Sequence, residues 1–146
     1  MRLSKHFSLE ELTQSDTAVR LDIDNTPTVE VIDNLTFLAE KLEDVRVLLR
    51  NPMLVSSGYR SLLLNRHLGS RDTSSHVKGL AVDFISPSFG NPEAIVKTIV
   101  ESDIQYDQVI LEFNRWVHLS FAKESPRLQA LIIDNKGVRR FENTIP

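Results

Sequence analysis

The chain has 146 residues, 41% of them apolar and 25% charged, which fits one soluble domain spanning 1–146 and leaves little room for a second. It contains no cysteine, which excludes a disulfide scaffold, a thiolate metal site and cysteine catalysis together; any metal must be held by Asp, Glu or one of four histidines. With 17 basic and 20 acidic residues the net charge is −3, so there is no basic field for nucleic acid, and no apolar run approaches the roughly 18 residues of a membrane span.

The first dozen residues carry a little positive charge with no apolar stretch behind it, so no secretory signal is expected and synthesis in a cytoplasm is. Residues 7–26 read as polar and loop-like, with a short helix over 9–12. Pro27 opens a long helix, because proline suits the first helical turn. Ile32, Leu35, Leu38, Ala39, Leu42, Val45 and Leu49 recur at three and four and draw one apolar stripe, which Asn51-Pro52 ends. Residues 53–56 read as a strand, followed by the turn Ser57-Gly58-Tyr59-Arg60-Ser61 and a short helix over 61–67. Residues 69–78 read as a loop and 80–85 as a buried strand.

Asn91-Pro92 supplies an N-cap and a first-turn proline for a helix whose apolar face is Ile95, Val96, Ile99 and Val100. Two hairpins follow. Strands over 108–113 and 116–121 are joined by Asn114-Arg115, a two-residue connection that pairs Phe113 with Trp116 and Glu112 with Val117. Strands over 130–134 and 138–141 flank Asn135-Lys136-Gly137. Helices first and strands last predict an α+β fold, a small antiparallel sheet with flanking helices, rather than a doubly wound one.

The chemistry is concentrated in Ser74-Ser75-His76-Val77-Lys78-Gly79-Leu80-Ala81-Val82-Asp83. His76 closes a polar loop, and Asp83 sits inside an apolar strand, where a carboxylate is costly unless it is paired, hydrogen-bonded or bound to a metal. His118 sits inside the apolar strand Trp116-Val117-His118-Leu119-Ser120-Phe121. Taken singly, His118 reads as a satisfied core histidine, and Asp83 equally as a cap, a paired buried acid or a ligand. Taken together, His76, Asp83 and His118 are what a catalytic zinc site requires: three ligands of imidazole and carboxylate type, with the fourth position left for water. Such a water needs an acid or base to move its proton, and Glu112, at the end of the strand joined to that of His118, is the best placed, though the face of its side chain is open. His6 and His67 lie in polar or helical surroundings and read as surface or structural residues.

Ser-x-His-x-x-Gly-x-Ala-x-Asp over 74–83, then Trp-x-His over 116–118, resembles the zinc D-alanyl-D-alanine peptidases. The upstream Ser57-Gly58-Tyr59-Arg60-Ser61, with Asn65 beyond it, matches the same family, and Phe7-Ser8-Leu9-Glu10-Glu11-Leu12 looks like its short phage and prophage members. The resemblance implies the α+β zinc fold shared with the Hedgehog signalling domain and lysostaphin-type peptidases. It implies one catalytic Zn2+ on His76, Asp83 and His118. It makes Arg60 the residue that binds and polarises the substrate, and places Tyr59, Ser74 and Trp116 against the substrate. The dipeptidase members carry their catalytic acid three residues before the last histidine, where this chain has Arg115, which cannot act as a base. The phage-type members carry a glutamate at the end of the preceding strand, here Glu112.

The expected protein is therefore a monomeric zinc metallopeptidase cutting amide bonds in peptidoglycan stem peptides, as a carboxypeptidase or an endopeptidase. A phage or prophage origin would let it wait in the host cytoplasm for release to the cell wall, as an endolysin, or ride in a virion. The rival readings are a virion or interaction protein that keeps the zinc without turnover and a metal-free domain with a peptide cleft. Nucleic-acid binding has only Arg139-Arg140 and scattered lysines behind it.

Overall fold

A computed structural model describes residues 1–142. Backbone contacts divide the chain into two compact units, Met1–Glu43 with Val55–Val82, and Asp44–Leu54 with the chain from Asp83 onward.

In the first unit, α1 (Leu9–Thr13) and α2 (Asp16–Arg20) are each capped by a serine: Ser8 Oγ accepts from the Glu11 amide and Ser15 Oγ from the Ala18 amide, both at 3.1 Å. The second of these helices falls where a loop was expected. It is one turn long with a single buried anchor, Ala18, so it leaves no periodic stripe to read. The long helix α3 (Val29–Leu49) starts two residues after Pro27; Thr28 Oγ1 accepts from the Val31 amide at 3.2 Å, so threonine is the cap and proline lies outside it. Its predicted stripe is buried from Leu35 onward, with Leu35, Leu38, Ala39, Leu42, Val45 and Leu49 each at most 1% exposed, while Ile32 in the first turns is only half-buried. β1 (Leu54–Ser57), α4 (Leu62–His67) and α5 (Ser75–Lys78) follow. The four-residue α5 lies inside the expected loop. It is made by its caps, with Ser74 at the start and Gly79 in the left-handed conformation (φ +76°) at the end.

The second unit contains most of β2 (Ala81–Ile85), then α6 (Pro92–Val100), β3 (Gln108–Glu112), β4 (Trp116–Ser120), β5 (Gln129–Asp134) and β6 (Gly137–Arg140). Asn91 caps α6 as expected, its Oδ1 accepting from the Ala94 amide at 2.8 Å. The six strands are hydrogen-bonded in the order β1-β2-β4-β3-β5-β6. The β3–β4 and β5–β6 pairs are antiparallel, while β5 runs parallel to β3, so the sheet is mixed and not the purely antiparallel one expected. The chain leaves β4 at Ser120, opposite the first residue of β3, and re-enters the sheet at Gln129 beside that same residue, which makes the pair parallel. Asp107, just before β3, holds Arg127, just before β5, through both carboxylate oxygens at 3.0 and 2.7 Å, and so ties the two strand starts together. The β5–β6 turn forms where Asn135-Lys136-Gly137 placed it, with Asp134 opposite Gly137.

The β3–β4 register differs from the expected one by a single residue. Glu112 lies opposite Trp116, Leu111 opposite Val117 and Ile110 opposite His118. The connection has three residues, because Phe113 and Asn114 both take left-handed backbone angles (φ +52° and +56°) and Phe113 leaves the ladder. Opposed residues share a face, so this shift moves Glu112 from the face of Val117 to the face of Trp116 and His118. The other face carries Val109, Leu111, Val117 and Leu119, each at most 5% exposed, and α6, with Ile95, Val96 and Ile99 buried, packs on β3 and β4. Among the described residues no helix is long and apolar enough to cross a membrane.

Candidate metal centre

His76 is fixed from both sides. Its Nδ1 lies 2.7 Å from the Gly58 carbonyl oxygen, and its amide donates to Ser74 Oγ at 3.2 Å. Its carbonyl accepts from the Arg60 amide at 3.1 Å. Donation from Nδ1 to Gly58 sets the tautomer and leaves Nε2 as the lone-pair nitrogen. The Gly58 position admits no side chain, since a Cβ there would meet the Leu12 carbonyl oxygen at 2.3 Å. The adjoining Tyr59 amide donates to that same oxygen at 2.7 Å, so the end of α1, the 58–60 turn and α5 are tied together.

Asp83 lies at the centre of β2 between Val82 and Phe84, which are both 0% exposed. Its Oδ1 is 3.1 Å from His118 Nδ1 on β4. His76, Asp83 and His118 are all buried, at 3%, 7% and 8% exposure. One ligand-type atom from each lies within 4.8 Å of the others, so the group can hold a metal ion. A paired acid in β2 would have needed only His118. The arrival of a second, independently oriented imidazole gives two nitrogens and one carboxylate, the donor set zinc accepts with a position left open.

Glu112 is half-buried at the end of β3, on the face of the sheet that carries His118. Arg60 is half-buried, and its guanidinium donates from Nε to Ser57 Oγ at 3.2 Å and from Nη1 to Ser70 Oγ at 3.2 Å and Asn65 Oδ1 at 3.4 Å. With Tyr59, Ser15 and Asp16 it lines a polar cavity of about 280 Å³. Burial of the Tyr59 ring, with the negative charge of Asp24, raises its phenol above the ordinary range, so it stays a neutral donor. The Ser74 hydroxyl is engaged as the cap of α5. Trp116 lies two residues from His118 along β4, its ring 5.8 Å from that of Phe113. His67 is exposed, and His6 lies apart from the group, its Nδ1 2.6 Å from the Glu43 carboxylate.

One organiser gave no sequence signal. The Asn25 side chain donates to the Thr13 and Tyr59 carbonyls at 2.8 and 3.1 Å and accepts from the Ser61 amide at 2.7 Å, bracketing the Tyr59-Arg60 turn. In the sequence it reads only as part of the turn before Pro27, because its partners lie up to 36 residues away.

Comparison with known proteins agrees with this geometry. The family model described as Peptidase M15 matches residues 5–120, a stretch that includes His76, Asp83, Glu112 and His118. No curated protein matches the chain.

Proposed function

The chain belongs to the Peptidase M15 family, the zinc D-alanyl-D-alanine carboxypeptidase-like peptidases, and from that premise we propose that it hydrolyses amide bonds in peptidoglycan stem peptides. The observation that carries the reading is the convergence of His76, Asp83 and His118, whose ligand-type atoms lie within 4.8 Å of one another. These three would hold the zinc, which when bound supplies Lewis-acid activation of water and of the scissile carbonyl.

The chain's own residues account for the rest. The Gly58 carbonyl keeps the His76 ring in one tautomer and orientation. Arg60, its side chain set by Ser57, Asn65 and Ser70, takes the substrate's carbonyl or carboxylate with a fixed fork of donors. Glu112 takes the proton of the attacking water and returns it to the leaving amine, so the carbon–nitrogen bond breaks into a carboxylate and an amine. Arg115, at the position where the dipeptidases carry their acid, leaves that work to Glu112. We treat 1–146 as one domain, since α3 and β2 each continue from one unit into the other. The resemblance of the opening residues to phage and prophage members supports action at the cell wall after release or from a virion.

The test is mass analysis of muropeptides after purified sacculi are incubated with the protein and zinc. New termini identify the bond cut. One equivalent of bound zinc with no release from sacculi would overturn the reading in favour of a non-catalytic zinc protein.

A further inference from the structure

A second cavity, of about 400 Å³, lies at the tip of the β3–β4 hairpin, lined by Phe113, Arg115, Trp116, Asp134 and Asn135. We propose that it is a subsite for a carboxylate-bearing residue of the peptide substrate, with Arg115 as the charge that selects it. The assignment rests on the peptidase reading for the direction of the substrate, though its own readout does not require turnover.

Four observations converge. Trp116 shares its strand and face with His118 and stands two residues, about 7 Å, along β4, so the cavity opens one to two residues of extended peptide from the candidate metal centre. The Trp116 Nε1–H is buried with no hydrogen-bond partner among the described residues. A buried donor without an acceptor is destabilising, so the indole N–H has a bond to gain if the ring turns toward an oxygen in the cavity. Phe113 holds a left-handed backbone angle that a bulky residue rarely takes, and keeps its ring 44% exposed beside Trp116 as an apolar wall.

The fourth observation is charge. The Arg115 guanidinium is exposed and makes no hydrogen bond or ion pair among the described residues. The acid beside it is already committed: Asp134 is bridged by Arg139 through both oxygens at 2.8 and 2.7 Å and accepts from the Lys136 amide at 2.9 Å. The Arg139 guanidinium and that amide hold the Asp134 carboxyl down at about 2, so it stays ionised and matched to Arg139 rather than to Arg115. A planar guanidinium lining the cavity recognises a carboxylate, and an uncharged amide in its place loses the charge-assisted part of the contact.

Trp116 is the only tryptophan in the chain, so its indole N–H gives a single resonance that reports on this cavity without assignment. The experiment titrates N-acetyl-L-alanyl-D-glutamate, and separately its uncharged diamide, into the 15N-labelled, zinc-loaded protein. The expected result is a saturable downfield shift with the dicarboxylate, binding roughly tenfold weaker for the diamide and for Arg115→Gln, and partial recovery in Arg115→Lys, which keeps the charge but not the fork. Sodium sulfate at matched ionic strength should leave the peak in place. Equal shifts with acid and diamide, an unaffected Arg115→Gln, or no shift at millimolar ligand would each overturn the proposal. Sacculus digestion by the same preparations separates the two readings. Digestion without an indole shift removes the subsite and keeps the peptidase; a shift without digestion does the reverse.

Discussion

At the scale of single residues, the proposed mechanism separates holding from chemistry. His118 contributes a nitrogen 3.1 Å from the Asp83 carboxylate, so His118→Ala should lose zinc and muropeptide release together, as read by elemental analysis and chromatography. Glu112 is not among the converging ligand atoms, so Glu112→Gln should keep the metal and slow release by roughly 10²–10⁴-fold, the usual weight of a general acid–base group. Full activity in that variant would remove Glu112 from the mechanism. Gly58→Ala drives a methyl into the Leu12 carbonyl, which the backbone must yield to. A loss of about 1–3 kcal/mol is expected from denaturant unfolding, with weaker zinc retention because the Gly58 carbonyl also steers His76.

At the scale of elements, the short helices and hairpins are set by caps and turns rather than by long stripes. Asn91→Ala removes the acceptor for the Ala94 amide at the start of α6 and should lower stability by about 1 kcal/mol, a fall in Tm of a few degrees by calorimetry. In the β5–β6 hairpin, Asp134 has its pKa lowered from the ordinary 3.8 to about 2 by Arg139 and the Lys136 amide. A depressed acid stabilises the fold while it is ionised in both states; that contribution is full above about pH 4 and is lost as pH falls toward 2. Asp134→Asn should therefore flatten this part of the Tm–pH profile and leave its slope above pH 5 unchanged. The pair is exposed, so the effect should also shrink in high salt.

At the scale of the whole molecule, a ligand that binds only the folded chain stabilises it by mass action. Zinc at 100 times its dissociation constant is worth about 2.7 kcal/mol. Chelation should lower Tm and re-addition of zinc restore it, while the His118→Ala protein should show the same Tm with and without metal. A wild-type Tm indifferent to zinc would mean that the three side chains are a structural hydrogen-bonded cluster.

The local patterns were legible because each is carried by neighbours in the chain. The three-and-four stripe of α3, the Asn91-Pro92 start of α6, the turn at Asn135-Lys136-Gly137 and the misplaced polarity of Asp83 and His118 inside apolar runs all show without coordinates. The family resemblance rests on the same kind of short spacing. What the sequence left open depends on contacts between distant segments. α2 and α5 are too short to have a period, Asn25 finds partners dozens of residues away, and β5 lies parallel to β3 because the chain re-enters the sheet beside the start of β3. The face of Glu112 turned on one residue of register, decided by two left-handed backbone angles at Phe113 and Asn114 that no pattern of apolar and polar residues encodes. Periodicity records which way a side chain points relative to its neighbours; only the folded backbone decides what it then meets.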